Sequence, residues 1–472
     1  MFHDALVPFA ERRIIKMKKI ALYFAVFVML TLLLISCKQR EGGKTSTQIE
    51  QVEPLLVLCE DQNLRLVQNF QACYPEIQME PILYDTGNIE DIITNYGKPD
   101  IILSQDYYDG NKVITDLIEK DIILEFTDLY GEDDTILQKN YFEGVLDSCK
   151  LKGSVYALPL TISTPYLIIR DEAWMNSAFS QLPEDYTRKE LLEAIETELD
   201  RNTTEGYLAF SGDIWVWSAD EWIKNSGIID PNDWQTSMQS LDEEQLRQMI
   251  RITSKINTNY AENATALRYD VRLEPAILNG NYLAGCWSSA PQMGLVYSQS
   301  AYKDQIGQDI HVVWLPMEGE ERKYAAMIRD MGMIGKDSQQ KELAYEVLRM
   351  MMDMKPMVWQ QPNAYDQNYC SVNREAAGQM LECIETTGAE QFKPVKFDKQ
   401  IPFQVDKEPL NDALKMQMEE YLDQVYVSYR YLELEGYEEI SRILMRYCYG
   451  NDYVPLEGEG CYEEIMNVVQ KR

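Results

Sequence analysis

The sequence predicts an α/β protein with parallel strands, divided into two domains. Short apolar runs alternate with segments of helical period between Pro54 and Leu103, the pattern of strands joined by helices. The chain has 472 residues, more than one hydrophobic core usually serves. A second β-rich stretch, "SVYALPLTISTPYLIIR" at 154–170, begins another round of alternation with different content.

The first round reads in order. "LLVL" at 55–58 is a short buried strand, and Leu64, Val67 and Phe70 recur at three-residue spacing, as on one helix face. "PILY" at 81–84 gives a second strand. "NIEDIITNY" at 88–96 gives a helix, with Asn88 as candidate N-cap and Gly97 beyond its end, and "PDIIL" at 99–103 gives a third strand. Strand, helix, strand, helix, strand at this spacing is a βαβαβ unit with parallel strands. In open sheets of this kind ligands sit at the carboxyl ends of the strands. Those ends are Cys59-Glu60-Asp61 and Ser104-Gln105-Asp106-Tyr107.

In the second round, Pro159 and Pro165 are breakers inside a sheet. Such a pair suits a crossing between lobes. Helices are expected at 187–200 and 241–256, followed by "EPAILNGNYLAGCWSSAPQMGLV" at 274–296. Further on, "AAMIRDMGMIGKDSQQKELAYEVLRMMMDM" places a strand before a long helix, with Lys336-Asp337-Ser338 at the helix start. Met350 to Met352 read as core packing, because Met fills irregular gaps.

Composition excludes several function classes. The formal charge is −33, and residues 1–36 hold five Lys/Arg and only two Asp/Glu, so the remainder is more acidic still. Such a surface repels phosphate backbones, so no nucleic-acid partner is expected. The acid otherwise serves to solvate the surface. Two histidines occur, His3 and His311. A zinc site commonly uses several, and His311 in "DIHVVWLP" reads as a satisfied core residue. There is no H-E-x-x-H, no G-x-S-x-G and no C-x-x-C among the nine cysteines, so no cofactor, metal or particular disulfide is expected. "GGKT" at 42–45 lacks the first glycine of a phosphate loop.

The N-terminus has a plan of its own. Lys18 and Lys19 precede Ile20 to Ile35, sixteen residues without charge, which is the layout of a signal peptide spanning 17–36 within a leader of 1–36. Leu34-Ile35-Ser36-Cys37 resembles the bacterial lipobox, which implies cleavage before Cys37 and diacylation of that residue. Two acyl chains hold a protein on a membrane stably. A plain signal anchor with an incidental cysteine is the other reading. Residues 37–53 are polar, without apolar period, as suits a flexible tether.

Five blocks in order, "PDIILSQDYYDGNKVITDLIEKDIILEFTDLY", "GSVYALPL", "AILNGNYLAGCWSS", "MGMIGKDSQQKELAYEVLRMM" and "SVNREA", resemble family 1 extracellular solute-binding proteins, the carbohydrate-type binding lipoproteins of bacterial ABC importers. "CYEEIMNVVQKR" at 461–472 resembles the family's closing helix, whereas 391–460 follows the family pattern poorly. The resemblance implies a periplasmic-binding-protein-like (type II) two-lobed α/β fold with a hinge between lobes. It places 54–160 with 322–360 in an N-terminal lobe and 161–321 with 361–472 in a C-terminal lobe. The chain would cross near Leu158 to Thr164, Leu315 to Tyr324 and Gln361 to Tyr365. It also implies a monomer, not an enzyme, lipid-anchored to the cell membrane facing outside the cytoplasm and handing a small-molecule solute to the transmembrane subunits of an ABC permease.

A sugar presents hydroxyls at its edge and C–H groups on its faces, so its site needs planar aromatics together with carboxylates or amides. Trp287 follows "YLAGC", where the family often places a stacking tryptophan. Trp215 and Trp217 are two apart, hence on one side of an extended chain. Gln105 and Asp106 follow "PDIIL", at the family's polar contact position, and Tyr107 adjoins them at the strand end. Glu60 and Asp61 follow the first strand, where Asp61 equally suits a helix cap. Arg329 and Asp330 stand where the family often has glycines, a departure that fits a ligand with an acidic group for Arg329 to pair with. Two rivals remain open: the same fold binding a peptide, polyamine or metal complex, and a glycoside hydrolase with two carboxylates about 5 Å or about 6.5–9.5 Å apart.

Overall fold

The structure is a computed structural model of the whole chain. It describes residues 53–61, 63–84, 89–105, 116–148, 150–151, 153–205, 208–212, 219–224, 234–239, 241–263, 282–289, 295, 299, 302–303, 307–318, 323–354, 370–379, 410–427, 437–449 and 460–471. Pro54–Arg472 forms one compact unit. The leader, Cys37, the "GGKT" tract and the crossing at Gln361 to Tyr365 lie outside the described residues.

The first round of alternation folds as its periodicity predicts. Strand β1 (Leu55–Cys59) leads to helix α1 (Leu64–Cys73), strand β2 (Met79–Leu83), helix α2 (Ile89–Tyr96) and strand β3 (Ile101–Gln105). β1 lies between β2 and β3 and is parallel to both. β2 is the sheet edge, where Pro81 can lack an N–H without cost to a ladder.

Strand β4 (Ala157–Arg170) is a correction to the sequence reading: its two prolines do not interrupt it. Fourteen residues run unbroken and change partners part-way along. After it come helix α3 (Arg188–Glu205), strand β5 (Leu208–Gly212), helix α4 (Glu243–Asn263), strand β6 (Tyr282–Ser289) and strand β7 (Ile310–Trp314). Strand β8 (Tyr324–Ile334) then returns, followed by helix α5 (Lys341–Met352) and strand β9 (Cys370–Ser371). The poorly matching tail supplies helix α6 (Asp412–Gln424), strand β10 (Val425–Val427) and helix α7 (Tyr437–Tyr449), and helix α8 (Cys461–Lys471) closes the chain.

The ten strands make one sheet, along which the order is β2-β1-β3-β8-β4-β6-β5, with β7 and β9 on β4 and β10 on β8. Residues 157–163 of β4 pair antiparallel with β8, while 164–170 pair with β6 and β7. Thus β4 belongs to both halves of the sheet. Apolar residues form two clusters. One gathers Leu58, Phe70, Ile102, Leu158, Met333, Leu348, Met351 and Met352, as the methionine reading expects, and also takes in Cys370, Met418 and Val425. The other gathers Ile169, Leu192, Met249, Val313, Ile440 and Ile465.

Candidate functional site

The carboxyl end of β1 carries the first polar group. Glu60 Oε1 accepts a hydrogen bond from the Ser104 hydroxyl of β3 at 3.0 Å. The Tyr84 hydroxyl lies 3.3 Å from the Leu103 carbonyl oxygen and 3.5 Å from the same Glu60 oxygen. Burial, then the Glu60 charge, raises the Tyr84 phenol well above its ordinary range. The Cys59 thiol is pushed up to about 11 by burial, then by Asp61 and Glu60, so it is no nucleophile at neutral pH. Asp61 is exposed beside it. An ionised Glu60 only accepts hydrogen bonds, so any group that pairs with it must donate.

Asp330 lies in the middle of β8, opposite Gln105 on β3 and Thr161 on β4. It is 5% exposed. Its Oδ1 accepts from Asn63 Nδ2 at 2.7 Å, and its Oδ2 accepts from the Thr161 hydroxyl. The β4–β8 register shifts on both sides of the Asp330–Thr161 pair, leaving Arg329 extra on β8 and Leu160 extra on β4. Such bulges bend strands and re-aim side chains. Arg329 is half-buried.

The other half of the sheet delivers its ends to the same place. β5 is parallel to β6, and β6 runs antiparallel to β4 so that Ser289 faces Thr164 and Trp287 faces Tyr166. Gln105 stands level with Thr161 across Asp330. The carboxyl ends of β3 and β6 therefore stand level with one stretch of β4, Thr161–Thr164, and those of β1 and β5 lie one strand further out on either side. Thr161, Ser163 and Thr164 are all buried, a polar run inside an otherwise apolar strand.

The backbone register brings Glu60, Gln105, Arg329, Asp330 and Trp287 into this region. Trp287 lies within strand β6 rather than after it, as do Ser288 and Ser289. Asp106, Tyr107, Trp215 and Trp217 lie outside the described residues. The sequence reading missed Asn63, Tyr84 and Thr161. Only the polar tract "TIST" inside an apolar strand signalled one of them. His311 is corrected from core to rim. It sits toward the far end of β7 from the crossing, half-exposed, with Nε2 2.8 Å from Asp171 Oδ1 and its ring stacked on Trp174 at 4.5 Å. Among the described residues no group of three His, Cys, Asp or Glu is placed to hold a metal ion.

No family model matches the sequence, and no curated protein matches it either. Solved structures do match. A sugar transporter from Rhizobium etli in an open conformation has a TM-score of 0.56 at 13% identity, over 89% of this chain and 100% of that one. The chain has the two-lobed solute-binding-protein fold. The sugar-binding protein MalE of Xanthomonas citri superposes with a TM-score of 0.53 at 13% identity, over 89% and 96% of the two chains. MalE of Listeria monocytogenes, solved with maltose, gives 0.51 at 13% identity, over 89% and 97%. These three neighbours of the fold are thus described as a sugar transporter, a sugar-binding protein and a maltose-binding protein. Among the described residues no helix is long and apolar enough to cross a membrane.

Proposed function

We propose that this protein is an extracytoplasmic lipoprotein that captures a sugar or oligosaccharide between two lobes and delivers it to the membrane subunits of an ABC importer. The observation that carries the reading is the convergence of strand ends from both halves of the sheet on Thr161–Thr164, in a fold whose solved neighbours bind sugars. Glu60, Asp61, Gln105, Asp106 and Tyr107 supply polar contacts, and Trp287, Trp215 and Trp217 supply stacking surfaces. Cys37 carries the lipid, 37–53 is the tether, and the acidic body stands off an anionic membrane surface. The lobes divide as the sequence resemblance implies, with crossings along β4 and between β7 and β8. Solute binding favours a closed form that the permease recognises.

The test is a thermal-shift screen of residues 39–472, which contain the whole compact unit Pro54–Arg472, against mono- and oligosaccharides, amino acids, polyamines and metals. A ligand at 100 times its dissociation constant stabilises the folded form by about 2.7 kcal/mol. A shift with one sugar class and no product after long incubation is the expected result. A shift only with a cation or peptide keeps the clamp and discards the sugar, and loss of an oligosaccharide over time makes the protein a hydrolase.

A further inference from the structure

Asp330 uses both carboxylate oxygens on neutral donors, the Asn63 amide and the Thr161 hydroxyl. Asn63 directly precedes α1, in the position where an asparagine ordinarily caps a helix by accepting from an N–H of the first turn. It makes no such bond here. A carboxylate only accepts, so Asn63 must turn its nitrogen to Asp330, and its Oδ1 faces away, buried without a donor. The cap is given up for the link to Asp330. The Asn63 backbone N–H donates to the Glu60 carbonyl at 2.9 Å and closes the turn between β1 and α1. Glu60 in turn holds Ser104. A chain of hydrogen bonds thus runs from β4, three residues before it changes partners, through Asp330 and Asn63 to the backbone carbonyl of Glu60 at the end of β1, whose side chain binds Ser104.

We propose that Asp330 is a positioning residue for solute binding: it acts through Asn63, fixing the Glu60–Asn63 turn against Thr161 at the point where β4 passes between the halves of the sheet. This rests on the binding function proposed above and reassigns Asp330 from solute contact to support. Asp330→Asn preserves the arrangement, because its Oδ1 accepts from Asn63 and its amide donates to the Thr161 oxygen. Asp330→Ala removes both bonds.

The experiment has two arms on the same proteins. Hydrogen exchange without solute reads the amides of residues 60–67, with those of 243–255 in α4 as the internal control. Calorimetric titration with maltose and with mannobiose reads affinity well below the melting temperature. Loss of a buried hydrogen bond predicts that Asp330→Ala speeds exchange at 60–67 and weakens sugar binding by about tenfold each, while Asp330→Asn stays within about threefold of wild type. Thr161→Val, which removes one donor and opens no cavity, gives a smaller change of the same sign and serves where the alanine variant does not fold. Unchanged exchange at 60–67 overturns the proposal. Faster exchange with unchanged affinity makes Asp330 structural only, and equal loss in the Asn and Ala variants makes it a direct, charge-dependent contact; either result also overturns it. Wild-type protein that binds neither sugar counts against a maltose- or mannobiose-type solute, and exchange alone then decides whether Asp330 holds the turn.

Discussion

Replacing Asp100 by Ala tests the opposite end of β3, where the sheet is bolted rather than open. Asp100 is 8% exposed. Its Oδ2 accepts from the Leu56 backbone N–H at 2.9 Å, and its Oδ1 accepts from the Ser338 hydroxyl just before α5. Two hydrogen bonds to a charged acceptor contribute about 1.5–3 kcal/mol each, so the variant loses about 3–6 kcal/mol. The compact unit has about 420 residues, and unfolding entropy near 2.1 cal/mol/K per residue makes its midpoint move about 1 °C for each 0.9 kcal/mol. The melting temperature should therefore fall by about 3–7 °C, read by calorimetry or circular dichroism at pH 7. A fall under 1 °C would refute both bonds. Sugar affinity measured on the folded variant should stay unchanged, since these groups lie at the opposite end of the strand from Gln105.

Three further outcomes follow from single sites. A Cβ on Gly335 would stand 1.9 Å from the Pro99 carbonyl oxygen, and one on Gly332 would stand 2.2 Å from a terminal methyl of Leu348; Gly335→Ala should therefore cost the larger share of the about 1–3 kcal/mol typical of overpacking, and equal melting shifts would contradict this. Cys59 is held protonated to about 11, against 9.0 for the free thiol. The unfolded chain therefore ionises first, stability falls as pH rises from 9 toward 11, and thiol labelling at pH 8 with peptide mapping should mark half-buried Cys73 before Cys59. Trp287→Ala should weaken the sugar by on the order of 1–3 kcal/mol with the melting point kept, whereas unchanged affinity and a lower melting point would make Trp287 a packing residue.

The first three strands and two helices were legible because their apolar runs are short, cleanly separated and carry one period each. Pro159 and Pro165 misled for a physical reason. A proline removes one donor and fixes one φ, and both losses are tolerated where a ladder is already irregular. Pro159 adjoins the bulge at Leu160, and Pro165 adjoins Thr164, where β4 takes new partners. The roles of Asn63 and Thr161 were not legible, since they meet Asp330 across 267 and 169 positions of sequence. No local pattern encodes a contact made by two strands and a helix start. The tail failed the family pattern yet folds by ordinary rules: Asn411 caps α6, accepting from the Leu414 N–H at 2.9 Å, and Leu414, Met418 and Tyr421 are buried.

The charge of the proposed site should separate a neutral from an acidic sugar. Among the described residues at this end of the sheet, Glu60, Asp61 and Asp330 are acidic, and Arg65 and Arg329 are basic. Two unit charges 4 Å apart in water interact by about 1 kcal/mol, so a uronate carboxylate placed here meets a net repulsion of about 1 kcal/mol unless it lies directly on an arginine. A neutral disaccharide should thus bind about 5-fold more tightly than the same disaccharide with one ring oxidised to the uronic acid. Titrating both sugars at 20 and 500 mM salt checks the cause: screening should narrow the gap and leave the neutral sugar nearly unmoved. Tighter binding of the uronate, abolished by Arg329→Gln, would refute this and make Arg329 the residue that selects an acidic solute.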